Sequence, residues 1–232
     1  MALLVRTWNV FHGNADPPRR RGYLRQMVEL ASADRPSVLC LQELPVWALP
    51  LIDDWSGMGA VRSIARRPLV LPGGLAGWVT RRHHGFFRSG LAGQANAILV
   101  DRGLELVDLG DEQISEPGRE RRTCHAARVA GSVVVGNLHA SHDGPPEARR
   151  AEVERALGFL ERLAGPEEPL VLAGDFNLAD VRLPRFTSPG TGIDHVLVRG
   201  LPASKVAAWP RDRRLQNGVV LSDHAPVEVT VG

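Results

Sequence analysis

Apolar runs of strand length recur along this 232-residue chain, and several of them end on a polar residue able to do chemistry. These ends are Thr7-Trp8-Asn9, Leu41-Gln42-Glu43, Asn137-Leu138-His139, Gly174-Asp175-Phe176-Asn177, Ile193-Asp194-His195 and Ser222-Asp223-His224. A buried strand that stops on a bare carboxylate needs a partner, because an unpaired buried charge is costly. A divalent cation is one such partner. The ligands on offer are carboxylate and amide oxygens, which suit Mg²⁺ or Mn²⁺ better than Zn²⁺, and Cys40 and Cys124 lack zinc-site spacing. Strand side chains alternate, so Asn137 and His139 should face one way, and so should Asp175 and Asn177. Each segment alone has a plainer meaning. Gly-Asp-Phe-Asn is usually a turn whose Asp bonds its own backbone. His139 alone reads as a hydrogen-bonded structural histidine, and Glu43 as a cap for the helix after it. Their occurrence together, in this order, points to one shared site.

The periodicity predicts strands at Leu3–Asn9, Val38–Leu41, Ala95–Val100, Leu104–Leu109, Cys124–Val129, Val133–Leu138, Leu170–Ala173, Ile193–Val198, Lys205–Ala208 and Pro226–Val231. Helical spacing appears in Tyr23, Met27, Leu30 and Ala31, in Leu44, Trp47, Leu51 and Trp55, and across Glu147–Leu163. Gly57 to Gly93 reads as long loops with short strands near Leu69–Leu71 and Trp78–Thr80. Adjacent β segments with few helical crossovers favour two packed sheets with helices outside, in one α+β domain. No apolar run approaches the ~20 residues of a membrane span. The first residues carry no basic stretch followed by a long apolar one. A cytoplasmic, reduced, monomeric protein with buried thiols and no membrane partner is the expectation.

The ordered segments, from Trp8 to His224, resemble the endonuclease/exonuclease/phosphatase superfamily of DNase I-like metal-dependent phosphoesterases. The most specific pieces are Gly174-Asp175-Phe176-Asn177 and Ser222-Asp223-His224-Ala225-Pro226. The resemblance implies a four-layer α/β/β/α sandwich of two mixed sheets, with the site at one edge. It implies that Glu43 is the main ligand of Mg²⁺ or Mn²⁺, with Asn9 and Asp223 nearby. Asp175 would orient or deprotonate the attacking water, and Asn177 would hold that water or the phosphate. Asp194 would orient and charge His224, which binds phosphoryl oxygens. His139 would stand near the leaving group, and Asn96 on the phosphate side. Some features depart from the family. Glu43 runs into Leu44-Pro45 rather than toward a Lys, and the chain's only Tyr is Tyr23, which argues against a specialised abasic-site enzyme. Between Ser56 and Val100 there is no Asp or Glu to orient His139. The stretch from Asn177 to Asp194 is short for the family, which implies a shallow site.

The net charge of +2 is too small to argue for any polyanion, so the distribution decides. Arg62, Arg66, Arg67, Arg81, Arg82 and Arg88, with His83 and His84, fall in the acid-free stretch. Arg182, Arg185, Arg211, Arg213 and Arg214 flank the last two motifs, while Glu152, Glu154, Glu161, Glu167 and Glu168 cluster elsewhere. Basic loops around the active edge, with Arg81 and Arg82 among the substrate contacts, predict nucleic acid as substrate. A small phosphorylated metabolite or lipid headgroup is the alternative, and solvated surface arginines are the plain reading of the same residues. A non-catalytic binding module would not need Glu43, Asp175, Asn177, Asp194, Asp223 and His224 all intact.

Overall fold

The computed structural model describes residues 2–19, 22–68, 78, 88–187 and 192–232. Its strands are β1 (Leu3–Asn9), β2 (Ala15–Asp16), β3 (Val38–Leu44), β4 (Gly59–Arg66), β5 (Gln94–Val100), β6 (Leu106–Gln113) and β7 (Thr123–Val129). They continue as β8 (Val133–His139), β9 (Leu170–Asp175), β10 (Asp194–Arg199), β11 (Ala207–Ala208), β12 (Leu215–Gln216), β13 (Val219–Leu221) and β14 (Val227–Val231). The α-helices are α1 (Leu24–Ser32), α2 (Ile52–Ser56), α3 (Arg88–Ala92) and α4 (Pro146–Leu163). One sheet runs β11-β14-β1-β3-β5-β4 and a second β10-β9-β8-β7-β6, with a small sheet β12-β13-β2 at the side. Both large sheets are mixed: β1 pairs parallel with β3, and β8 parallel with β9.

Alternation along the strands builds the layers. Leu3 and Val5 of β1, Val38 and Cys40 of β3, Val133 and Val135 of β8, and Val171 and Ala173 of β9 all turn into one core between the sheets. The opposite faces carry helices. Leu24, Met27, Val28 and Ala31 of α1 recur at helical spacing and pack with Trp8, Leu39 and Leu41. Val153, Ala156, Phe159 and Leu160 of α4 pack with Val134, Leu138, Leu170 and Leu172. The result is the four-layer α/β/β/α sandwich. Arg6 on the helix side of β1 is wholly buried, and its guanidinium reaches Asp34 at 2.7 Å and Glu228 at 2.5 Å, tying β1 to β14 and to the segment after α1.

The main departure from the predicted elements is β4, eight residues of strand inside a stretch read as loop. It is an edge strand, mostly half-buried, so Arg62, Ser63 and Arg66 interrupt any apolar alternation. The two short strands expected nearby fall outside the described residues, except Trp78, which is helical and exposed. Cys40 and Cys124 are buried free thiols, and burial pushes Cys40 up to about 12. Among the described residues no helix is long and apolar enough to cross a membrane.

Gly174 shows how closely β8 and β9 approach. Its φ is +144°, and an added Cβ would lie 1.9 Å from the Leu138 carbonyl oxygen. Gly174→Ala should therefore lower stability by about 3 kcal/mol, since the obstacle is paired backbone that cannot move aside. Urea unfolding of the two proteins checks this, and a loss under about 1 kcal/mol would mean that β8 and β9 shift freely.

Candidate active site

Toward one end of the sandwich the layer between the sheets changes from valine to polar groups. After Val5 in β1 come Thr7 and Asn9, after Cys40 in β3 comes Gln42, after Val135 in β8 come Asn137 and His139, and after Ala173 in β9 comes Asp175. Two buried amides sew this end together. Gln42 Nε2 donates to Thr7 Oγ1 at 2.9 Å and to Asn137 Oδ1 at 2.8 Å. Asn137 Nδ2 donates to the carbonyls of Leu41 at 3.0 Å and Ala97 at 2.9 Å, both in the opposite sheet.

Asp175 ends β9 in the middle of the polar row. Its Oδ2 accepts from Asn9 Nδ2 at 3.0 Å, and its Oδ1 from the Asn177 N–H at 2.9 Å. Asp175 thus bonds its local backbone, as in a turn, and also faces the polar row. The chain leaves the strand at Phe176, and Asn177 takes a φ of +49°, so strand alternation does not reach it. Its Nδ2 donates to the Ala140 carbonyl at 2.9 Å. Burial, with Asp194 next, pushes Asp175 up to about 6 against the pull of His224, Asn9 and the Asn177 N–H.

Asp194 begins β10 directly opposite Asp175, the two being register partners. Its Oδ2 lies 2.8 Å from His224 Nδ1. Burial alone would lower His224, but the bond to Asp194 and the charges of Asp194, Asp175 and Asp223 outweigh it and raise it to about 9. His224 Nε2 lies 3.8 Å from Asp175 Oδ2. The loop carrying it is held firmly. Ser222 Oγ donates to the Asn9 carbonyl at 2.7 Å, Trp8 Nε1 donates to the His224 carbonyl at 3.0 Å, and Arg214 Nη1 donates to the carbonyls of Leu221, Ser222 and His224.

Glu43 sits where β3 slips register between Leu41 and Leu44, with a φ of +56°. Strict alternation would send Glu43 to the helix side with Leu41; the irregularity gives that place to Leu44 and releases Glu43 to the site. His12 Nε2 is 3.4 Å and His139 Nε2 3.7 Å from its carboxylate. Burial raises Glu43, and Asp223 raises it further, against the bond from Asn9 and the charges of Arg122 and His224. A half-buried carboxylate pushed up in this way, beside a second acid and with no Lys or Arg bonded to it among the described residues, suits a hard cation. Asp223 is exposed, and Asn9 turns its Nδ2 to Asp175 while its Oδ1 accepts the Phe11 N–H at 2.9 Å and keeps one lone pair. Asp175, Asp194 and His224 also bring one ligand atom each within 4.8 Å. In that trio His224 Nδ1 is already bonded to Asp194.

His139 is reached from two residues not singled out in the sequence. Gln94 Nε2 lies 2.9 Å from its Nδ1, and Arg122 Nη1 lies 3.1 and 3.2 Å from its two ring nitrogens. Burial, with Arg122 next, holds His139 well below the usual histidine range. Behind this histidine stand an amide and a cation rather than an acid.

Asn96 is buried between the sheets, with Nδ2 3.4 Å from the Thr123 carbonyl. Arg81, Arg82, His83 and His84 fall outside the described residues. The expected basic rim is thinner among the described residues. Arg62 pairs with Asp53, Arg66 lies 3.5 Å from Glu120, Arg213 stacks 3.4 Å over Trp209, and Arg214 is buried. Glu152, one of the clustered acids, is buried and accepts from Ser141 N and Oγ, both at 2.7 Å.

The model of the endonuclease/exonuclease/phosphatase family matches residues 7–224. No curated protein matches the chain. Solved structures share its fold. A functionally unknown conserved protein from Enterococcus faecalis V583 superposes with a TM-score of 0.73 at 16% identity, covering 99% of both chains. A mannosyl-6-phosphatase from Bacteroides thetaiotaomicron VPI-5482 gives 0.72 at 17%, again over 99% of both. TDP2 from C. elegans gives 0.68 at 16%, covering all of this chain and 74% of that one. With the family match spanning Thr7 to His224 and the fold and polar row agreeing with it, the chain belongs to the endonuclease/exonuclease/phosphatase family.

Proposed function

We propose that this protein hydrolyses phosphodiester bonds with a divalent cation, Mg²⁺ or Mn²⁺, and that nucleic acid is its substrate. The observation that carries the reading is the pairing of Asp175, pushed up to about 6, with His224, raised to about 9, across 3.8 Å. At neutral pH Asp175 is mostly ionised yet basic enough to take a proton from water. His224, charged and held through Nδ1, presents Nε2 to a phosphoryl oxygen. Asn177 fixes the Asp175 turn and keeps its Oδ1 to orient the water. Glu43, Asp223 and Asn9 would hold the cation, which supplies charge neutralisation at the phosphoryl oxygens when bound. His139 takes part as a neutral hydrogen-bonding group.

A second reading, a phosphatase for a small phosphate ester, draws on the pairing of Arg62 and Arg66 with acids. It also draws on the end-to-end likeness to a mannosyl-6-phosphatase. The test is a panel with Mg²⁺ and Mn²⁺: plasmid DNA, single-stranded RNA, an aryl phosphodiester, an aryl phosphomonoester and inositol phosphates. Turnover should favour the nucleic acids and the diester over the monoester. Binding of DNA or RNA should weaken steeply with salt, and replacing Arg81 and Arg82 by Ala should flatten the slope by roughly one unit per lost phosphate contact. Turnover confined to monoesters would discard the diester reading.

A further inference from the structure

The turn between β1 and β2 holds three successive residues at positive φ: Phe11 at +46°, His12 at +51° and Gly13 at +85°. Glycine takes that conformation freely, but phenylalanine and histidine are strained there, and such residues persist only where the surroundings hold them. This turn is held from several sides. The Val10 N–H donates to the Gln42 carbonyl at 3.1 Å, the Gly13 N–H to the Val10 carbonyl at 2.7 Å and the Phe11 N–H to Asn9 Oδ1 at 2.9 Å. The His12 ring is thereby turned back onto the end of β3. Its Nε2 comes within 3.4 Å of Glu43 Oε2, and its side chain is only 7% exposed. Glu43 has a φ of +56°, so two strained residues from different segments face each other. A charge-assisted bond from imidazole to carboxylate is about 2.8 Å long, and 3.4 Å is too far for a good one. Two ligand atoms at neighbouring corners around an ion the size of Mg²⁺ or Mn²⁺ stand about 3 Å apart, a spacing this pair meets with a small shift of either side chain.

We propose that His12 Nε2 is a ligand of the same divalent ion as Glu43, and that this nitrogen makes the site select Mn²⁺ over Mg²⁺. The inference rests on the divalent-cation reading above and goes past it by adding a ligand and choosing the ion. Mg²⁺ takes oxygen ligands and gives up its water reluctantly, whereas imidazole suits transition ions, and Mn²⁺ accepts both donor types. Glu43, Asp223 and Asn9 offer oxygen, so His12 makes one nitrogen among oxygens, a set too oxygen-rich to favour Zn²⁺. The bond from the Phe11 N–H to Asn9 Oδ1 fixes the His12 turn and the Asn9 amide together, so one short segment places two of the donors. His139 is less suited to the role. Its Nε2 is 3.7 Å from Glu43 Oε1, but Arg122 Nη1 stands 3.1 and 3.2 Å from its two ring nitrogens, and a fixed positive charge there opposes a second cation.

The experiment compares metal-free wild type with His12→Asn and His12→Ala. Calorimetry measures the binding of Mg²⁺ and of Mn²⁺, and pulsed EPR of the Mn²⁺-loaded proteins reads nitrogen coupled to the ion. Asparagine tolerates positive φ better than most residues, so His12→Asn keeps the turn while its side chain is too short to reach the ion, and it serves where His12→Ala does not fold. Wild type should bind Mn²⁺ at least ~30-fold more tightly than Mg²⁺. Each variant should lose about 10-fold or more in Mn²⁺ affinity and less than about 3-fold in Mg²⁺ affinity. The nitrogen coupling should be present in wild type and gone in His12→Asn. An equal loss on both ions, in a variant that melts where wild type does, makes His12 a neighbour that only positions Glu43 and overturns the proposal. A Mn²⁺ preference that survives both substitutions overturns it too, as does a nitrogen coupling that is missing from wild type or kept in His12→Asn. Wild type that binds neither ion defeats the cation reading and this ligand with it. Wild type that binds both ions, with no change at His12, overturns the ligand alone. Mn²⁺ selectivity that depends on His12, in a protein that hydrolyses no diester, keeps the ligand and defeats the phosphodiesterase reading.

Discussion

Dialysis against EDTA should bring hydrolysis to background, and Mg²⁺ or Mn²⁺ should restore it. The physical ground is the Glu43 carboxylate, pushed up by burial and by Asp223. In the absence of a cation its ionised form is unfavourable, so Glu43→Gln should leave the melting temperature of metal-free protein unchanged or higher. The same substitution should remove most of the stabilisation that added metal gives wild type, and raise the Mg²⁺ needed for half-maximal activity by at least ~10-fold. A calorimetric melt with and without Mg²⁺ reads the first effect, and a metal titration of turnover the second. Full turnover after exhaustive EDTA dialysis would end the metal assignment.

Asp175→Asn and His224→Ala should each lower kcat by about 10³-fold, or roughly 4 kcal/mol of barrier. Asparagine at 175 can still accept from the Asn177 N–H through its single amide oxygen, so the turn survives while the bond from Asn9 and the proton acceptor are gone. Alanine at 224 removes the charged group facing the phosphoryl oxygens and leaves Asp194 without its partner. KM should change by less than about 3-fold in both, because neither group is the main source of ground-state binding in this reading. A fall in kcat under about 10-fold for either protein would remove that residue from the reaction.

Asn9, Glu43, His139 and Asp175 are legible in the sequence because each closes an apolar run whose period is plain, and Asp194 because it opens one. The fold follows from the same runs. What stayed hidden has local causes. Strand β4 lies at a sheet edge, half-buried, and its arginines mask its alternation. The placement of Glu43 depends on a register slip that no spacing rule announces. Arg122 stands in Glu-Arg-Arg-Thr-Cys and looks like its neighbour Arg121, yet one is buried against His139 and the other half-exposed. Only the packing of β7 beside β8 distinguishes them. Arg214 is the same case: its sequence neighbourhood reads as a basic loop, and its side chain is a brace for the His224 loop.

The layer between the sheets has two halves with different mechanical characters. Valine against valine resists separation but tolerates sliding, because dispersion and the hydrophobic effect have little directional preference. The amides of Gln42 and Asn137, which bond across the sheets over 2.8 to 3.0 Å, resist sliding, because hydrogen bonds weaken steeply with misalignment. Glu43 and Asn9 belong to one sheet, and His139, Asp175 and Asp194 to the other. Those two amides act as dowels that keep the two half-sites in alignment, so cohesion and alignment are carried by opposite ends of one layer.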